Sequence, residues 1–136
     1  MLTIYEKYYK FMPHIITEFS ADFSADLAKN LATQVQKHFT SLASEGNFDV
    51  TQCKIRFLSF SDYFVGLSNE SSASFVHLTI KILAGRTVEV RKKLTALCLQ
   101  SMQEIYQTQC QKNRVDFSVD LVEMDKETYQ KTTVNL

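Results

Sequence analysis

The spacing of apolar residues changes period several times along the chain. Residues 14 to 19, HIITEF, are β-branched and apolar and read as a strand, after which Leu27, Leu31, Val35, Phe39 and Leu42 recur at the helical period. Ser24 stands at the natural N-cap of that helix, Asp26 suits its first turn, and SEGN around Gly46 supplies a stop. A strand rich in Ile, Phe and Tyr is predicted from about Cys53 to Val65. From Phe75 to Leu83 the residues alternate: Val76, Leu78, Ile80 and Ile82 suit a core, whereas Phe75, His77, Thr79, Lys81 and Leu83 form a mixed face. A second helix follows with Val90, Leu94, Leu97, Cys98, Met102 and Ile105 on one face and Arg91, Lys92 and Glu104 opposite. The last strand, Val115 to Met124, sets Val115, Phe117, Val119 and Leu121 against Asp116, Ser118 and Asp120.

The halves repeat one plan. Placing His14 on His77, an offset of 63 residues, aligns Ile15 with Leu78, Ser24 with Thr87, Asp26 with Glu89 and Leu31 with Leu94 without a gap. The order is β-α-β-β-α-β, an α+β domain of four strands whose two helices cover one face. The other face must meet water or another subunit, and its mixed character fits an oligomer interface with polar contacts. Ferredoxin-like folds share this order, so the pattern alone leaves the family open.

A chain of 136 residues suits one domain. Equal counts of 15 basic and 15 acidic residues give no global field to recruit nucleic acid or an anionic membrane. MLTIYEKYYKF is interrupted by Glu6, Lys7 and Lys10, which argues against a signal peptide, and no run is long and apolar enough to span a bilayer. Cys53, Cys98 and Cys110 are odd in number and lack a CxxC pattern, as expected in a reducing cytoplasm. His14, His38 and His77 have neither ligand spacing nor an acidic cluster, so no metal is expected.

Three stretches carry a family resemblance: PHIITEF from Pro13, CKIR at 53 to 56, and FVHLTIKILAGRTVEVRKKL at 75 to 94. They resemble the 5-carboxymethyl-2-hydroxymuconate Δ-isomerase family of the tautomerase superfamily, from Pro13 to the C-terminus. The resemblance implies a four-stranded mixed sheet built from two β-α-β units and assembled as a homotrimer, sheets inward and helices outside. Members begin at a proline exposed by removal of the initiator methionine. Here Met12 precedes Pro13, and the family's two arginines fall on Arg56, in KIR, and Arg86, in AGR.

The implied catalytic set is therefore Pro13, Arg56 and Arg86, acting on a small unsaturated carboxylate of the carboxymethyl-hydroxymuconate kind without metal or organic cofactor. A free N-terminal proline is a secondary amine able to take and return a proton. Two guanidinium groups nearby would lower its pKa, bind a carboxylate and stabilise a developing dienolate. As an internal residue Pro13 is an amide with no basic lone pair. Residues 1–12 are thus either an extension upstream of the true start at Met12 or a genuine addition, with Tyr5, Tyr8, Tyr9 and Phe11 covering the old site of a non-catalytic trimer. Residues 13–136 are the domain in both readings. From the residues alone, Pro13 equally suits strand entry, Arg56 and Arg86 suit a solvated or ion-paired surface, and Phe57, Phe60 and Phe64 are unassigned candidates for a pocket wall.

Overall fold

The computed structural model describes residues 13–69 and 73–136, so the expectations placed on residues 1–12 lie outside the described residues. Its elements are β1 (His14–Ser20), α1 (Ala25–Ser41), a one-turn α2 (Ala43–Gly46), a 3-10 turn (Val50–Gln52), β2 (Lys54–Phe60), β3 (Phe64–Val65), β4 (Ser68–Asn69), β5 (Ala73–Leu83), α3 (Val88–Tyr106) and β6 (Arg114–Met124). Four strands form one mixed sheet in the order β2-β1-β5-β6. The outer pairs, β1 with β2 and β5 with β6, are parallel, and the central pair β1 with β5 is antiparallel.

Helices α1 and α3 cover one face because the sheet supplies an apolar layer there. Ile15, Phe19, Val76, Leu78, Ile80 and Ile82 pack with Leu31, Val35, Phe39, Leu94, Cys98 and Met102 in one buried cluster, and Val115, Phe117, Val119 and Leu121 close it from β6. The alternating set predicted for β5 is therefore the one that is buried, and Cys98 is a core residue. Among the described residues, no helix is long and apolar enough to cross a membrane.

The internal repeat is visible as geometry. Ile16 pairs with Thr79 across the central strands, and each is the other's counterpart in the repeat. Directly above the sheet His38 and Ser101, also counterparts and 63 residues apart, meet side chain to side chain at 2.7 Å between α1 and α3. Positions related by a twofold rotation touch their own counterparts only on its axis, so the two halves are related by a pseudo-twofold that passes through both contacts.

Three local expectations change. The strand predicted from Cys53 to Val65 is two pieces: β2 ends at Phe60, and Phe64–Val65 leaves the main sheet to pair with Ser68–Asn69 in a hairpin. The first helix ends at Ser41, before SEGN; Ala43–Gly46 forms α2, and Asn47, the last residue of SEGN, closes it in the left-handed region at φ 59°. Ser24 occupies the N-cap position but makes no side-chain cap bond, whereas Thr87 accepts from the Val90 amide at 3.2 Å.

Candidate functional site

Pro13 is buried at the head of β1, and its carbonyl accepts a hydrogen bond from the Lys54 amide at 3.0 Å, locking the heads of β1 and β2 side by side. The parallel register continues as His14 beside Lys54 and Ile16 beside Arg56. Side chains alternate along a strand, so His14, Lys54 and Arg56 all project from the helix-free face. Across the antiparallel boundary, Lys81 of β5 stands opposite His14 on that same face.

Arg56 is exposed, and its guanidinium donates to Nδ1 of His14 at 3.1 Å. Arginine has no acceptor, so Nδ1 must carry the lone pair and the proton must sit on Nε2. Nε2–H then donates to the Tyr129 hydroxyl at 2.8 Å. Tyr129 is brought there by the segment after β6, where the Asp125 side chain accepts from the Glu127 amide and the Asp125 carbonyl from the Tyr129 amide. The arrangement needs a neutral imidazole. Partial burial first, then the charges of Arg56, Lys54, Lys81 and Lys131, lowers the His14 pKa from 6.5 and favours that form.

Arg86 is held differently. Gly85, at φ 124°, turns the chain out of β5 through a region that side chains avoid. The Arg86 guanidinium then donates to the carbonyls of Gly46 at 2.9 Å, Leu83 at 3.0 Å and Asn47 at 3.1 Å, and lies 5.0 Å from the centroid of the Phe48 ring. Gly46 is required for this packing, because a Cβ there would collide with the Phe48 ring. Burial lowers the Arg86 pKa from 12.5, yet a guanidinium remains charged at any physiological pH.

Pro13, Arg56 and Arg86 thus gather at one end of the sheet: Pro13 immediately before β1, Arg56 on the neighbouring β2, and Arg86 in the loop three residues beyond β5. Arg56 faces outward and bonds His14, while Arg86 donates to three backbone carbonyls. Phe60 and Phe64 do line a cleft, with Glu18, Tyr63 and Phe75, but at the opposite end of the sheet from Pro13. Phe57 is on the helix side, in register with buried Thr17. His14 and Tyr129 belong to the site without having been singled out by spacing; the only signal for His14 was its place next to Pro13, and Tyr129 lies in a segment with no periodic pattern.

The 5-carboxymethyl-2-hydroxymuconate isomerase family matches residues 13–135 of this chain. A solved 5-carboxymethyl-2-hydroxymuconate isomerase from Deinococcus radiodurans R1 superposes with a TM-score of 0.81 at 22% identity, covering 93% of both chains. A 5-carboxymethyl-2-hydroxymuconate delta-isomerase superposes at 0.78 with 15% identity, covering 95% of this chain and 93% of that one. A fused 4-OT wild-type symmetric trimer gives 0.62 at 14% identity, with 82% and 85% covered. No curated protein sequence matches the chain.

Proposed function

The chain belongs to the 5-carboxymethyl-2-hydroxymuconate isomerase family, and from that premise we propose that it is a cofactor-independent isomerase that shifts a proton within a small unsaturated carboxylate. The family and the tautomerase fold place it in the isomerase/tautomerase class. The observation that supports the finer reading is the nearness of Pro13 to Arg56: the Pro13 carbonyl is bonded to the Lys54 amide, and two residues along β2 Arg56 is an outward-facing cation bonded to His14, the residue after Pro13.

In this reading Pro13 is the mature N-terminus. Its neutral amine takes a proton from carbon beside the conjugated system and returns it further along. Arg56, oriented through His14, binds the substrate carboxylate and stabilises the dienolate charge. Arg86 acts as a fixed positive charge whose field, with that of Arg56, lowers the amine pKa toward neutrality. The protein works as a cytoplasmic homotrimer, its half-wet sheet face turned inward. A monomer would leave that face to water, and a solved relative of the same fold is described as a symmetric trimer.

Mass spectrometry of the native protein tests the premise, with Pro13 expected as the first residue. In that form Pro13→Ala is expected to reduce isomerisation of a muconate-type substrate roughly 10²–10⁴-fold, the usual range for loss of a general base. A native chain that begins at Met1, and that stays inactive when shortened to Pro13, sinks the catalytic role in favour of a non-catalytic trimeric module.

A further inference from the structure

The cleft at the end of the sheet away from Pro13 has a chemistry of its own. Its walls are Phe60, Tyr63, Phe64 and Phe75, and among its described lining residues Glu18, half-buried, is the one that carries a charge. Its volume of about 440 Å³ suits a small molecule.

The walls are held in place by the fold. The Phe75 amide donates to the fully buried Ser20 Oγ at 3.2 Å, and the Tyr63 hydroxyl donates to the Ala73 carbonyl at 3.0 Å. The Phe60 and Phe75 ring centroids lie 6.2 Å apart with their planes tilted by 40°, and Tyr63 meets Phe75 edge to face at 5.4 Å and 68°. A single cation can therefore rest within about 6 Å of more than one centroid, the range of a cation–π contact. Phe64, 73% exposed on the β3–β4 hairpin, adds a fourth ring at the rim.

The electrostatics point the same way. Aromatic faces are negative, and Glu18 adds a full charge. Its carboxylate has no ion pair or hydrogen bond among the described residues, whose ion pairs join Arg91 to Glu123, Lys93 to Glu45 and Arg114 to Asp116. Arg56 stands two residues back on the same face, beside Ile16, but its guanidinium is bonded to His14. His77, opposite Glu18 on β5, has its Nδ1 2.6 Å from Ser118 Oγ. A primary ammonium would bring three N–H donors to a lining that offers rings and one carboxylate. A quaternary ammonium has no N–H to satisfy, so it loses less on leaving water for these walls.

We propose that this cleft binds a small free quaternary ammonium compound of the choline kind, with Phe60, Tyr63 and Phe75 around the cationic head, Phe64 at the rim and Glu18 as counter-charge. The site shares no residue with Pro13, Arg56 and Arg86 and does not rest on the isomerase reading.

NMR titration of the full chain with choline, with its neutral carbon isostere 3,3-dimethylbutan-1-ol and with ethanolamine tests this. Choline is expected to shift the ring signals of Phe60, Tyr63 and Phe75 saturably and to bind about tenfold more tightly than either of the other two, as cation–π contacts beside a carboxylate allow. Glu18→Gln is expected to weaken choline by about threefold or more and to leave the neutral alcohol within about twofold, because only the charged ligand feels the lost carboxylate. Phe64→Leu is expected to weaken choline by a smaller factor. Equal affinity for choline and the alcohol overturns the proposal, since shape alone would then explain binding, as does a Glu18→Gln variant that weakens both alike. Ethanolamine binding as tightly as choline overturns the assignment to a quaternary centre. Absence of saturable ring shifts at millimolar choline overturns the site, and a change in oligomeric state in Phe64→Ser would then assign the rings to contact with a second copy.

Discussion

The two β-α-β halves share a plan but use their arginines for different ends. In the first half Arg56 lies on a strand, exposed, with a histidine as its side-chain partner among the described residues. In the second half Arg86 lies past the end of a strand, half-buried, with three carbonyls gathered around it. The helices differ in the same sense: α3 is capped by Thr87 and runs to a fully buried Tyr106, while α1 begins without a side-chain cap bond. The second half therefore sends its arginine across to brace the Gly46–Asn47 turn of the first, whereas the first half leaves Arg56 on the open sheet face. A pseudo-twofold in the backbone does not impose a twofold in chemistry, because side-chain partners come from loops that the repeat does not share.

Exchanging the fates of the two arginines is the strongest way to break this comparison. Arg56→Ala is expected to lower kcat/KM about 10²-fold or more in the form beginning at Pro13, with stability changed by less than about 0.5 kcal/mol, as for other exposed charges. Arg86→Ala is expected to lower stability by about 2–3 kcal/mol, because carbonyls of Gly46, Asn47 and Leu83 lose charge-assisted donors; Arg86→Lys should recover little, since an ammonium lacks the planar fork. Denaturant unfolding of both variants beside steady-state kinetics checks the pair, and an Arg86→Ala protein of normal stability would remove the contrast.

The helices offer a second, smaller test. The Tyr106 hydroxyl is buried with no hydrogen-bond partner among the described residues, packed among Phe23 and Phe117, and burial pushes its pKa above the ordinary range. Tyr106→Phe is expected to raise stability by about 1 kcal/mol, since the change removes a desolvation cost and no bond. Thr87→Ala should cost about 1 kcal/mol and Ser24→Ala close to nothing, because only Thr87 accepts from a helix amide. Thermal melts that showed equal losses at the two caps would contradict the assigned difference.

The weakest expected effect is the dependence on pH. Burial lowers the pKa of both His14 and His38 from 6.5 in the folded chain. The unfolded chain thus binds more protons between 6.5 and the lowered values, so the histidine contribution to stability is intact above about pH 6.5 and is lost as the pH falls through that window. His14 adds a functional arm: once protonated at Nδ1 it has no lone pair for Arg56, so that bond is lost while Nε2–H still donates to Tyr129. His38→Asn should flatten the acid limb of the melting temperature between pH 7 and 5 without touching activity, while His14→Asn should weaken substrate binding. A steeper acid limb in His38→Asn would reverse the sign.

Much of this molecule follows from its sequence. The β5 alternation from Val76 to Ile82, the helical stripe through Leu94, Cys98 and Met102, and the 63-residue repeat require only that apolar side chains leave water at the period their backbone dictates, which is a local property. Pro13, Arg56 and Arg86 were named from motifs, and the fold brings all of them to one end of the sheet. Other features required the tertiary structure. The break of the predicted strand after Phe60 depends on a hairpin partner at Ser68–Asn69 that no periodicity announces. The bond of His14 to Tyr129 spans 115 residues, and those of Arg86 to Gly46 and Asn47 span about 40, so nothing in the neighbouring sequence encodes them. Which arginine would be free and which spent was decided there, because hydrogen bonds to distant carbonyls and rings exist only once the chain has closed on itself.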